Sequence, residues 1–115
     1  MISTHVLDTA LGRPAAGVPV VLERAEAGEG GAGTGVLARA STDADGRVRE
    51  LLPAGTALAA GTYRLTFETG AYFASSGTDG FYPRVTILFT VRDPFQHHHV
   101  PLLLSPYGYA TYRGS

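Results

Sequence analysis

Four histidines are few for chemistry, yet three of them are consecutive: His97, His98 and His99. Neighbours in a strand point to opposite faces, so His97 and His99 share one side with Pro101 and Leu103. His98 lies on the other side with Val100, Leu102 and Leu104. A neutral imidazole is the one ordinary side chain that takes a proton from water near pH 7. A single strand histidine is more often just solvated or hydrogen-bonded, so chemistry needs partners from elsewhere. Zinc is a poor fit: only two of the three rings can converge, and His5 would have to come from far along the chain. No Cys, and no His-x-His with a carboxylate, completes a ligand set. No metal is expected.

Two further patterns lose their meaning in context. Gly28-Glu29-Gly30-Gly31-Ala32-Gly33 has the spacing of a dinucleotide fingerprint. That spacing binds pyrophosphate only between a strand and a helix of a βαβ unit, and a hairpin loop is expected here. Asp43-Ala44-Asp45-Gly46 resembles part of a calcium loop but lacks the distant glutamate, so it reads as a turn. Arg47 follows that turn directly. It would leave a rigid hairpin end with its guanidinium able to swing into a cleft, although an arginine alone is usually a surface residue.

The elements that would carry these residues are short strands separated by turn signals. Expected strands run over 2–8, 18–25, 36–42, 48–52, 63–68, 84–92, 98–104 and 107–113. The strand over 84–92 is apolar on both faces, which suggests a central position. Asp45-Gly46 supplies the positive φ of a tight turn. One or two helical turns are expected over 69–76, ended by Gly77. About eight strands with one short helix after the fifth indicate an all-β, two-sheet sandwich.

Length and composition agree. A chain of 115 residues fits a single domain, 1–115, and 44% hydrophobic with 17% charged is an ordinary globular profile. A net charge of −1 argues against nucleic acid or an anionic membrane as partner. All nine cations are arginine, for which the sequence offers no functional reason. Without cysteine there is neither a disulfide framework nor thiolate chemistry. The N-terminus lacks the basic start and apolar run of a signal peptide, no peroxisomal address is seen, and no stretch approaches about 18 apolar residues. A cytoplasmic protein is the expectation.

Particular strings carry more than composition does. Ile2-Ser3-Thr4-His5-Val6-Leu7-Asp8-Thr9 runs into Gly12-Arg13-Pro14-Ala15. Thr42-Asp43-Ala44-Asp45-Gly46-Arg47 and Tyr63-Arg64-Leu65-Thr66-Phe67 follow. The chain closes on His99-Val100-Pro101-Leu102-Leu103-Leu104-Ser105-Pro106-Tyr107, continuing to Tyr112-Arg113-Gly114-Ser115. Together, in this order and over nearly the whole chain, they resemble the 5-hydroxyisourate hydrolase family, the enzymatic relatives of transthyretin. The terminal tetrapeptide is the most specific element. The resemblance implies a transthyretin-like sandwich that converts 5-hydroxyisourate to 2-oxo-4-hydroxy-4-carboxy-5-ureidoimidazoline in urate degradation. It implies His5, Arg47 and His99 as catalytic residues, with His5, Arg47, Tyr112, Arg113, Gly114 and Ser115 binding substrate. It implies a homotetramer with sites at a subunit interface and no cofactor. One departure stands out: relatives usually place an aromatic, tyrosine, where His98 is. Since His98 faces away from His99, little effect on chemistry is expected.

The residues themselves fit such a reaction. His5 shares a strand face with Ser3, Leu7 and Thr9. Pro101 cannot donate to a ladder, so its strand is expected at an edge or bulge, where an apolar face suits a subunit contact. Two imidazoles could divide the work of base and water-orienting group, while Arg47 holds substrate oxygens and a developing oxyanion through its fork. In a regular strand Tyr112 and Gly114 face one way and Arg113 and Ser115 the other, so part of the tetrapeptide would shape the channel. The alternative reading is a non-catalytic carrier of a small aromatic ligand on the same fold. It gives His5, His99 and the tetrapeptide no purpose. A structural sandwich of the kind appended to surface proteins is a further alternative.

Overall fold

The computed structural model describes residues 1–25 and 35–115. The glycine pattern of residues 28–33 lies outside the described residues. Nine strand pieces and one helix follow in order: β1 (Ile2–Asp8), β2 (Arg13–Pro14), β3 (Pro19–Ala25), β4 (Val36–Ser41), β5 (Arg47–Val48), β6 (Gly61–Phe67), α1 (Thr69–Ser75), β7 (Val85–Val91), β8 (His98–Ser105) and β9 (Gly108–Thr111). The eight expected strands are all represented, and the ninth piece is the two-residue β2 against the end of β1. They form two sheets. One has the order β2-β1-β8-β9 with β5 also paired to β1, and the other has the order β4-β3-β6-β7.

Period-two alternation in the facing strands builds the core between the sheets. Ile2, Val6, Val100, Leu102 and Leu104 come from one sheet, and Val20, Leu22, Tyr63, Leu65, Phe67, Val85 and Val91 from the other. His98 sits on the inward side of β8, buried, with its backbone N–H donating to the Met1 carbonyl at 2.8 Å. The helix α1 ends as expected. Gly77 takes φ +66, and the N–H groups of Gly77 and Thr78 return to the carbonyls of Ala74 and Phe73, a Schellman closure. Tyr72 on α1 donates from its hydroxyl to the buried Asp8 carboxylate at 2.7 Å, pinning the helix to β1. Burial, followed by this bond to Asp8, pushes the Tyr72 hydroxyl up to about 12.

Four expectations are corrected. The strand β7 lies at an edge and not at the centre: Val85, Ile87 and Val91 are buried while Thr86, Leu88 and Thr90 are exposed, so its outer face is solvent-side. Conversely β8, expected at an edge or bulge, is central, between β1 and β9. Pro101 is tolerated there because the β9 ladder stops at Leu102 opposite Thr111, next to the proline. It resumes in the same register only as the bridge of His99 to Gly114. The strand expected over 48–52 shrinks to Arg47–Val48. Beyond it the chain leaves the sheet and returns to Ile2 alone, whose carbonyl accepts the Leu51 N–H at 2.8 Å and whose N–H donates to the Glu50 carboxylate at 3.1 Å. Finally, the Asp-Gly turn does not close a hairpin. It carries the chain from β4 in one sheet to β5 in the other.

Candidate active site

The two ends of the chain meet at β1 and β8, which run parallel and side by side. The register sets Ser3 opposite His99 and His5 opposite Pro101. Ile2, Thr4, Val6 and Asp8 turn inward. Ser3, His5 and Leu7 therefore occupy the outer face. On the other edge of β1, β5 sets Arg47 opposite His5. An arginine, two histidines and a serine from three separate stretches of sequence thus share one face.

The turn before Arg47 fixes its position. The Asp43 carboxylate accepts the backbone N–H of Asp45 at 2.8 Å and of Arg47 at 3.0 Å. The hydrogen bond from Arg47, together with the one from Asp45 and the charges of Arg49 and Arg47, holds the Asp43 carboxyl below its usual range. Gly46 adopts φ +74 and presents its carbonyl to the Val6 N–H at 2.7 Å. A Cβ at this position would collide with the Val6 carbonyl oxygen. Only glycine therefore lets the turn lie this close to β1.

The serine hydroxyl is the hub. Ser3 Oγ lies 2.6 Å from His97 Nε2 and 2.7 Å from His99 Nδ1, so one buried hydroxyl ties two imidazoles together. Ser3, Arg47, His97, His99 and Ser115 line a single open cleft of about 240 Å³, flanked by Thr4, Val48 and Arg49. Burial lowers the pKa of His99, and the Arg47 charge, His97 and His5 lower it further. A neutral, proton-accepting ring is thereby favoured. Arg47 can meet negative oxygens there, and His99 can take a proton. Among the described residues no three His, Cys, Asp or Glu side chains converge as a metal site.

The sequence-predicted residues divide between two places. Arg47, His99 and Ser115 meet in the cleft. His5 shares the face and is paired with Arg47, but lies beside the cleft lining. Gly114 packs against the His99 ring so closely that a Cβ would strike its Cδ2. Tyr112 and Arg113 instead line a second groove with Ile87, Leu88 and Phe89 of β7, which His99 also borders. The tetrapeptide thus splits between two grooves that share His99, with Gly114 and Ser115 on the side of Ser3 and Arg47 and Tyr112 and Arg113 on the side of β7. Sequence reasoning did not single out Ser3 and His97, although each shares a strand face with a chosen histidine. The missing information was the parallel pairing of β1 with β8.

Residues 2–114 match the HIUase/Transthyretin family. The 5-hydroxyisourate hydrolase of Caulobacter vibrioides is 51% identical, over 99% of this chain and 97% of the relative. The structure of the Klebsiella pneumoniae 5-hydroxyisourate hydrolase superimposes with a TM-score of 0.83 at 42% identity, covering 99% of this chain and 92% of that one. Sea bream transthyretin, solved with thyroxine, gives a TM-score of 0.85 at 30% identity, covering 98% and 93%. With nearly every residue matched, the chain belongs to the HIUase/Transthyretin family.

Proposed function

We propose that this protein hydrolyses 5-hydroxyisourate to 2-oxo-4-hydroxy-4-carboxy-5-ureidoimidazoline. The observation that carries this reading is the meeting of Arg47 and His99 in one cleft, with His5 on the same face. His99, kept neutral by burial, accepts a proton from water as the oxygen attacks the ring carbonyl. The Arg47 guanidinium holds the substrate oxygens and stabilises the oxyanion. The carbon–nitrogen ring bond then breaks, and the proton passes to the leaving nitrogen. His5, beside Arg47, orients water or substrate. Ser115 closes the cleft, and Gly114 seats the His99 ring. Tyr112 and Arg113 act from outside the cleft, as part of the channel wall.

A carrier of a small aromatic ligand would need an apolar lining. Among the described residues around this cleft, Val48 alone has a hydrocarbon side chain. Half-buried Leu7 and Leu103 lie opposite each other on the same outer face, an apolar strip beside the imidazoles that suits a second copy. The working protein is accordingly a homotetramer with its sites at a subunit interface. The test is to generate 5-hydroxyisourate from urate with urate oxidase and follow its ultraviolet absorbance, with a sizing column alongside. Wild type accelerates the decay, and His99→Ala and Arg47→Ala each lower the rate by about 100-fold or more. A wild-type rate equal to the buffer blank refutes the proposal.

A further inference from the structure

The hydrogen bonds around Ser3 determine where the protons sit. His97 Nδ1 lies 3.0 Å from the Met1 thioether sulfur, which can accept a proton but has none to give. That nitrogen must then carry the hydrogen, and neutral His97 has a bare Nε2. Ser3 Oγ, 2.6 Å away, therefore directs its single proton to His97 Nε2. Only lone pairs remain on the hydroxyl for His99 Nδ1 at 2.7 Å, so His99 donates. A neutral imidazole with its proton on Nδ1 has its basic lone pair on Nε2. His99 Nε2 has no hydrogen-bond partner among the described residues, and the ring lines the cleft.

We infer that Ser3 and His97 form a positioning pair that locks His99 in the tautomer with Nε2 as base, and that relays charge from His99 to His97 and back. The use of the pair rests on the proposed hydrolysis, but the tautomer does not. As His99 Nε2 takes the proton from water, its Nδ1 proton passes to Ser3 Oγ and the Ser3 proton passes to His97 Nε2. The serine ends neutral, His99 is neutral again, and the positive charge resides on His97. When Nε2 hands its proton to the leaving nitrogen, the two inner protons return along the same path. No electron is transferred and no other reactant is needed.

Charge placement gives the relay its value. An imidazolium at His99 would be half-buried and close to the permanent cation of Arg47, with His5 on the same face and Arg49 along the cleft. Within one subunit His97 is exposed where His99 is half-buried, so a cation on His97 keeps more of its water. Its backbone carbonyl accepts from Arg113 Nη2 at 3.3 Å, which anchors the main chain and leaves the ring to Ser3 and Met1.

The test compares Ser3→Ala, Ser3→Thr and His97→Phe with wild type, in the full chain. Nitrogen-15 NMR of the imidazoles reads the tautomer without substrate. Wild type and Ser3→Thr should show His99 protonated on Nδ1, and the other two should lose that preference. In the absorbance assay Ser3→Ala and His97→Phe should lower kcat by about tenfold with KM unchanged, while Ser3→Thr keeps most of the rate. A proton inventory in mixed light and heavy water should fall from several moving protons to one. If His99 keeps its Nδ1 proton in Ser3→Ala, or wild type has it on Nε2, the inference is wrong. An unchanged kcat and proton inventory overturn the relay. A wild type inactive on 5-hydroxyisourate defeats the function, while the NMR result still decides the tautomer.

Discussion

The outer faces of the two sheets obey the same alternation but carry different chemistry. On the sheet formed by β3, β6 and β7, polar side chains meet as pairs that range from mostly buried, Arg64 with Glu23, to exposed, Thr66 with Thr86. Arg84 bonds Glu68 at 3.1 Å, Arg64 stands 3.9 Å from Glu23, and Thr66 faces Thr86. These pairs link antiparallel neighbours, and the exposed Arg84–Glu68 pair contributes little because water screens it. On the sheet formed by β5, β1 and β8, polar side chains meet across long stretches of sequence. Ser3 and His99, 96 residues apart, bond at a buried hydroxyl. The lesson is that polarity on an outer face does not mark a site. Hydrogen bonds that chain groups able to exchange protons, as Ser3 does with His97 and His99, do.

The sharpest way to break this contrast is at Gly46. In Gly46→Ala the φ of +74 and the collision with the Val6 carbonyl should cost about 2 kcal/mol or more. Thermal unfolding should show a Tm drop on the order of 10 °C. Activity should fall with it, because Arg47 moves. Gly114→Ala comes next: its Cβ meets the His99 ring, so kcat should fall about tenfold. Urea denaturation should put its stability within about 1 kcal/mol of wild type, since the residue joins the sheet through one isolated bridge.

The pH dependence is a smaller effect with a definite sign. Burial, then the Arg47 charge, lowers the pKa of His99, so an NMR titration should place its midpoint below about 6.5. In Arg47→Ala the midpoint should rise only part of the way, because burial, the larger cause, remains. His98 is also lowered, chiefly by burial and then by Arg113. Both folded-state rings bind fewer protons than the unfolded chain between the two pKa values. Stability is therefore fully present above about 6.5 and falls as pH drops through that range, as urea midpoints at pH 7.5 and 5.5 should show. Smallest of all, Arg84→Ala on the other sheet should change stability by less than about 0.5 kcal/mol, with activity intact.

Much of this was legible in the sequence. Alternation in β1, β3, β6 and β8 defined the sandwich and the inward set. Gly77 marked the end of α1, and Asp45-Gly46 marked the turn before Arg47. Strand order was not legible, because pairing depends on which surfaces fit and not on any local pattern. Leu88 and Phe89 made β7 look buried on both faces, yet among the described residues Leu88 stays exposed. Pro101 suggested an edge, because a sequence cannot show that the neighbouring ladder is interrupted beside it. The same gap hid Ser3: its importance arises from lying opposite His99, and only the parallel pairing of β1 with β8 puts it there.

That parallel pairing also governs how the protein is made. The partner of Ser3 on β8 leaves the ribosome 96 residues after it. At about 5–20 residues per second, a separation of 96 residues means a wait of roughly 5–20 s. Throughout that interval the nascent segment carrying Ser3 and His5 has an unpaired edge, a feature that invites contact with other chains. The reactive constellation is thus absent from every nascent chain that stops short of His99.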